Sequence, residues 1–154
     1  LTLPISRASV VAQTFVALAV PIAVVNVITP IVIFVSTRLV DHPIGAADLA
    51  AVHGLSIPYL FACAAIGLLA SVVANRAAIA QRVALGAIFG FYMLESLLEG
   101  TDYEPVGAIS PTRYYDPNAI LLDAEYDLVG AGILLAGTIG LVVVSQLWFR
   151  RRDV

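Results

Sequence analysis

Glu95 and Glu99 stand four residues apart, a spacing that puts both carboxylates on one face of a helix. Held away from water, such a pair takes up protons or binds a cation. Facing water, it is two solvated acids at a helix end, and that is the simpler reading. Asn26, with Gln13 nearer the start, places an amide in a long apolar run. At lipid depth such a group usually hydrogen-bonds between helices, and otherwise touches a transported substrate. Asp41, His42, Asp48 and His53 cluster around one turn, yet no repeated ligand spacing such as HExxH is present, so no metal site is expected. No catalytic residue is expected either. Ser56, Ser71 and Ser96 lack a nucleophile-elbow context, and Cys63 has no flanking charge to activate its thiol. There is no GxxxxGK[ST] loop and no Lys at all, which excludes ATP hydrolysis by phosphate-loop chemistry on this chain.

The elements that must carry these residues are long and apolar. The chain is 60% hydrophobic and only 12% charged, with a mean hydropathy of +0.96, whereas a soluble domain carries roughly 25% charged residues. Residues 8–37, 49–75 and 128–149 hold no Arg, Asp or Glu, and each run exceeds the roughly 20 residues that cross about 30 Å of hydrocarbon. A fourth run, 77–98, carries Arg82 and Glu95 near its ends, where long side chains reach the headgroups. The expectation is an all-α membrane protein with four transmembrane helices at about 10–39, 50–74, 77–98 and 127–149. Pro21 and Pro30 are expected to bend or break the first. A short link at Asn75-Arg76 predicts an antiparallel hairpin of the second and third spans, packed through Ala62, Ala64, Ala65, Gly67, Gly86 and Gly90. Short interfacial elements are expected at the amino end and in the loop 101–127, with Tyr103, Tyr114, Tyr115 and Tyr126 at headgroup level.

Arginine sets the orientation. With both termini in the cytoplasm, the inner segments hold Arg7, Arg76, Arg82, Arg150, Arg151 and Arg152, and the outer ones hold Arg38 and Arg113 against ten acids. The reverse topology would put six of eight arginines outside, against the positive-inside bias. The expected location is the plasma membrane, with lipid as a partner and no nucleic acid.

Several motifs resemble the permease subunits of ABC-2-type transporters. Leu3-Pro4-Ile5-Ser6-Arg7 before an apolar span is similar to the family's LPVSR-like cytoplasmic link. Ala70-Ser71-Val72-Val73-Ala74-Asn75-Arg76-Ala77-Ala78 resembles its turn between fourth and fifth helices. Ser110-Pro111 leading to Tyr114-Tyr115-Asp116-Pro117-Asn118, then a final span and Phe149-Arg150-Arg151-Arg152-Asp153, resembles its outer loop and FxRRD-type terminus. The resemblance implies the carboxy-terminal four-helix part of a six-helix permease, with residues 1–9 as a cytoplasmic coupling segment and 10–154 as the transmembrane domain. It further implies an exporter that is not itself an enzyme and binds no cofactor. A separate cytosolic ATPase would hold ATP and Mg, contacting Pro4, Ser6 and Arg7 first and Asn75 and Arg76 second, and the permease would act as a homo- or heterodimer. Two other readings stay open: a non-transporting membrane scaffold, and an intramembrane enzyme using Glu95 and Glu99.

Overall fold

The computed structural model describes residues 7–74 and 76–151, apart from the side chains of Arg7 and Ala8. Its order is α1 (Arg7–Leu39), α2 (Ala46–Val73), α3 (Ala77–Leu98), a cap segment, and α5 (Leu128–Arg151). The cap segment holds 3-10 turns at Glu104–Ile109 and Pro111–Tyr114 and the short helix α4 (Pro117–Asp123). No strand occurs among the described residues. The four long helices, of 22 to 33 residues, are long and apolar enough to cross a membrane.

The helix ends follow local rules. α2 starts at Ala46, ahead of the apolar run, because Gly45 caps it and Asp48 places a carboxylate in the first turn, complementing the helix dipole. A Cβ on Gly45 would overlap that carboxylate. α3 ends at Leu98 because Gly100 adopts φ +72°, a left-handed conformation that glycine takes without penalty. α1 runs unbroken through Pro21 and Pro30, so of the bend or break expected there the break does not occur. A broken helix in lipid would leave backbone groups unsatisfied over a longer stretch than the two donors the prolines remove.

α2 is the centre. It packs against α1, α3, α5, α4 and the Pro111–Tyr114 turn, and α1 also meets α5, whereas no described Cα of α3 comes within 8 Å of α1 or α5. Val11 of α1 and Leu68 and Val72 of α2 form a buried cluster with Phe15, Val142 and Phe149 packed on it. The start of α1, the finish of α2 and the finish of α5 therefore share one end of the bundle. α5 buries a single stripe of Gly130, Leu134, Thr138 and Ser145, spaced by whole helical turns. The Thr138 and Ser145 hydroxyls donate to their own backbone, to Leu134 and Leu141 oxygens, both at 2.8 Å. So satisfied, they act as small surfaces that allow close approach.

The small residues divide differently from expectation. Ala62 and Ala65 are buried, but a Cβ at Gly67, Gly86 or Gly90 would meet no atom within 4 Å. The glycines thus line open surface rather than the α2–α3 seam. Most large apolar side chains of α1 and α3 are likewise exposed, the surface of helices whose solvent is lipid rather than water.

Candidate functional site

Two polar features interrupt this apolar bundle, and one tyrosine joins them. The first clasps the cap segment to α3. Arg113 Nη1 donates to Glu95 Oε1 at 3.2 Å and to the Glu104 backbone oxygen at 3.0 Å, while Nη2 donates to Glu104 Oε1 at 2.9 Å. The Glu104 hydrogen bond, then the charges of Glu95 and Glu104, raise the Arg113 pKa above its ordinary value, so the guanidinium stays charged. Glu95 is no free acid: its side chain is 17% exposed and its Oε2 is buried beside Gly107 with no hydrogen-bond partner. Glu99, one turn on, is exposed. Of the two solvated acids that the simpler reading expected, Glu95 is therefore clasped and Glu99 alone faces outward. Ser110, completely buried, donates from Oγ to the Phe91 oxygen of α3 at 3.1 Å and caps the next turn by accepting from Thr112 N.

The motif Tyr114-Tyr115-Asp116-Pro117 builds the turn that follows. Tyr114 Oη donates to the Ala108 oxygen at 2.7 Å. Asp116 Oδ1 accepts from Asn118 N at 2.7 Å and from Ala119 N, capping α4, with Pro117 at its first position. Between the cap segment and the end of α3 lies a cleft of about 350 Å³, lined in part by Tyr92, Glu99, Arg113, Asp116 and Asn118. No group of three metal-ligating side chains occurs among the described residues.

The second feature lies inside the bundle. Asn26 of α1 is buried, its amide donating to the Ile22 oxygen at 2.9 Å. Its Oδ1 receives the Ser56 hydroxyl of α2 at 2.7 Å and stands 3.3 Å from His53 Nδ1. Tyr115 reaches down to this node. Its ring stacks on Tyr59, with centroids 5.5 Å apart and planes at 21°, and its hydroxyl donates to the Val52 oxygen at 3.2 Å. The cap is thereby sewn to α2 as well as to α3.

Burial is the main reason that the Tyr115 pKa is raised, with the Asp116 charge adding to it and a hydrogen bond with Ser56 opposing it. The folded pKa lies above the unfolded value of about 10, so the linked stability is complete below pH 10 and is lost as pH rises through the folded value. We expect Tyr115→Phe to reduce the fall in melting temperature between pH 9 and pH 11. An unchanged alkaline limb would place the phenol in water.

Pro4, Ser6 and Asn75 lie outside the described residues, as does the Arg7 side chain. Arg76 precedes α3 and is exposed. Glu104, Tyr59 and the clasp role of Arg113 escaped the reading of the sequence. The available signal was Arg113 itself, a single cation in a stretch dense with acids. No family model, curated protein or solved structure matches the chain.

Proposed function

We propose that the chain is the membrane-spanning permease subunit of an ABC transporter, an exporter in the plasma membrane driven by a separate cytosolic ATPase, with the Arg76 end of the bundle in the cytoplasm. The observation that carries this reading is the way α3 is held. Among the described residues it packs on α2 and the cap segment, with no backbone Cα within 8 Å of α1 or α5, so it can change its packing while α1, α2 and α5 stay together. Transport needs such an element with two arrangements. The motifs at both ends of the sequence add the resemblance to ABC-2-type permeases, and the split of charge between the two ends supports this orientation. ATP and Mg would bind on the partner ATPase, and Arg7 would pair with an acidic patch there.

The test is co-purification with the candidate ATPase, wild type beside Arg7→Glu, followed by ATPase assay in lipid. Stable association that Arg7→Glu weakens is the expected result. Failure of the folded protein to associate with any ATPase would remove the transporter reading.

A further inference from the structure

We infer that His53 is a proton-binding site at the α1–α2 seam, taking up the proton at Nε2 while Asn26 keeps a hydrogen on the other ring nitrogen, Nδ1. The setting of Asn26 carries this. Its amide nitrogen donates to the Ile22 oxygen at 2.9 Å, so the amide cannot turn over without bringing its own oxygen against that carbonyl. Oδ1 is thereby fixed toward α2, where it receives the Ser56 hydroxyl at 2.7 Å and stands 3.3 Å from His53 Nδ1. An amide oxygen can only accept. Nδ1 therefore bears a hydrogen, and in the neutral imidazole, which has only that one, Nε2 keeps the lone pair.

That lone pair is open. Among the described residues Glu95 Oε2 is the one buried side-chain nitrogen or oxygen without a hydrogen bond. His53 Nε2 makes no hydrogen bond to them either, so it reaches the surface of the bundle. At 1.5 Å per residue His53 stands about 30 Å along α2 from Val73, the thickness of the hydrocarbon core. With Val73 at one boundary the imidazole lies at the other, within reach of water. The ligand is a proton rather than a metal, because no group of three metal-ligating side chains occurs among the described residues, whereas a histidine exchanges its proton between about pH 5 and 8. The imidazole has no ion-pair partner among the described residues. α1 carries no titratable group between Arg7 and Arg38, and α5 none between Asp127 and Arg150. On α2 the nearest in sequence are Asp48 and Tyr59. The cap segment brings Tyr115, whose hydroxyl meets the Val52 oxygen, with Asp116 and Asp123. At this end α3 carries Tyr92, Glu99 and the clasped Glu95. Since Nδ1 holds its hydrogen in the neutral ring and in the cation alike, the bond to Asn26 survives proton uptake. The bundle can gain and release a charge here without parting α1 from α2.

The site requires neither transport nor a particular orientation of the bundle, so its test is separate from that of the permease reading. The chain, free of added histidines and with its histidines labelled in nitrogen-15, is placed in nanodiscs and followed by nuclear magnetic resonance from about pH 5 to 8. It has two histidines, and His42→Gln, at an exposed position of the turn after α1, leaves His53 as the only signal. As the pH rises, the Nε2 resonance should move to the position of a bare ring nitrogen, while Nδ1 stays at that of a hydrogen-bearing one. Asn26→Leu removes the acceptor at similar volume and should let the neutral ring carry its hydrogen on Nε2. Asn26→Asp, which keeps an acceptor oxygen, should restore the hydrogen to Nδ1. Ser56→Ala leaves the Ile22 and His53 contacts of Asn26 in place and should keep the wild-type pattern, so the assignment is tested even where Asn26→Leu fails to fold. A wild-type ring that loses its hydrogen from Nδ1, or does not titrate at all, would overturn the site. An unchanged pattern in folded Asn26→Leu, or loss of the Nδ1 hydrogen in Ser56→Ala, would overturn the role given to Asn26.

Discussion

Replacing Ala65 with leucine is expected to destabilise the bundle by about 1–3 kcal/mol, the usual cost of forcing methylenes into a packed site, and to lower the melting temperature in nanodiscs accordingly. Ala65 is fully buried on α2, the helix on which every other long helix rests. Its neighbours cannot retreat cheaply, because the same helix packs on three sides. Ala65→Ser keeps the volume and should stay close to wild type, with the hydroxyl turning back to the preceding turn as Ser145 does. If Ala65→Leu unfolds at the wild-type temperature, α2 is not packed as closely as the structure has it, and its place as the hub fails with it.

The second large effect is expected at Gly107, and it reads out the clasp rather than the bundle. A Cβ there would overlap Glu95 Oε2 and lie 3.4 Å from Arg113 Nη1. A flexible carboxylate could usually swing away, but this one is held through its other oxygen by Arg113. Gly107→Ala should therefore push Glu95 off the guanidinium, at a cost of about 1–3 kcal/mol. That cost corresponds to roughly five- to 150-fold faster hydrogen exchange of the cap segment, residues 99–127, with α1, α2 and α5 unchanged. Combining Gly107→Ala with Glu95→Ala removes the collision, so the double variant should lose less than the sum of the two single losses. Strict additivity would show that the two residues do not meet.

The spans were the most legible part of the fold, since uninterrupted apolar runs of this length leave a helix little alternative in lipid. Their ends were less so. α2 gains its first turn from Gly45 and Asp48, a capping effect that no hydropathy pattern records. The prolines do not break α1 because their cost is counted per missing donor, and two donors in a 33-residue helix are tolerated. The glycines misled for a different reason: a small residue permits close approach but does not say which face has a neighbour. Asn26 was recognisable as a buried amide, yet its partners Ser56 and His53 come from another helix and so required the packing. Glu95 and Glu99 share a helical face as their spacing required. They differ because only Glu95 lies under Gly107 and within reach of Arg113, and that contact depends on the path of the cap segment.

The way the long helices meet can be read as a frame. α1, α2 and α5 touch pairwise and close a triangle, which braces itself, whereas α3 is a single strut leaning on α2. Besides α2, among the described residues the Pro111–Tyr114 turn of the cap segment links it to α5, touching both helices. The strut is thus cross-braced at one end, while among the described residues its other end leans on α2, with Ala80 buried there. Load applied near Arg76 can work that end as a hinge, while at the opposite end it is resisted by the Arg113 clasp and passed across to α5.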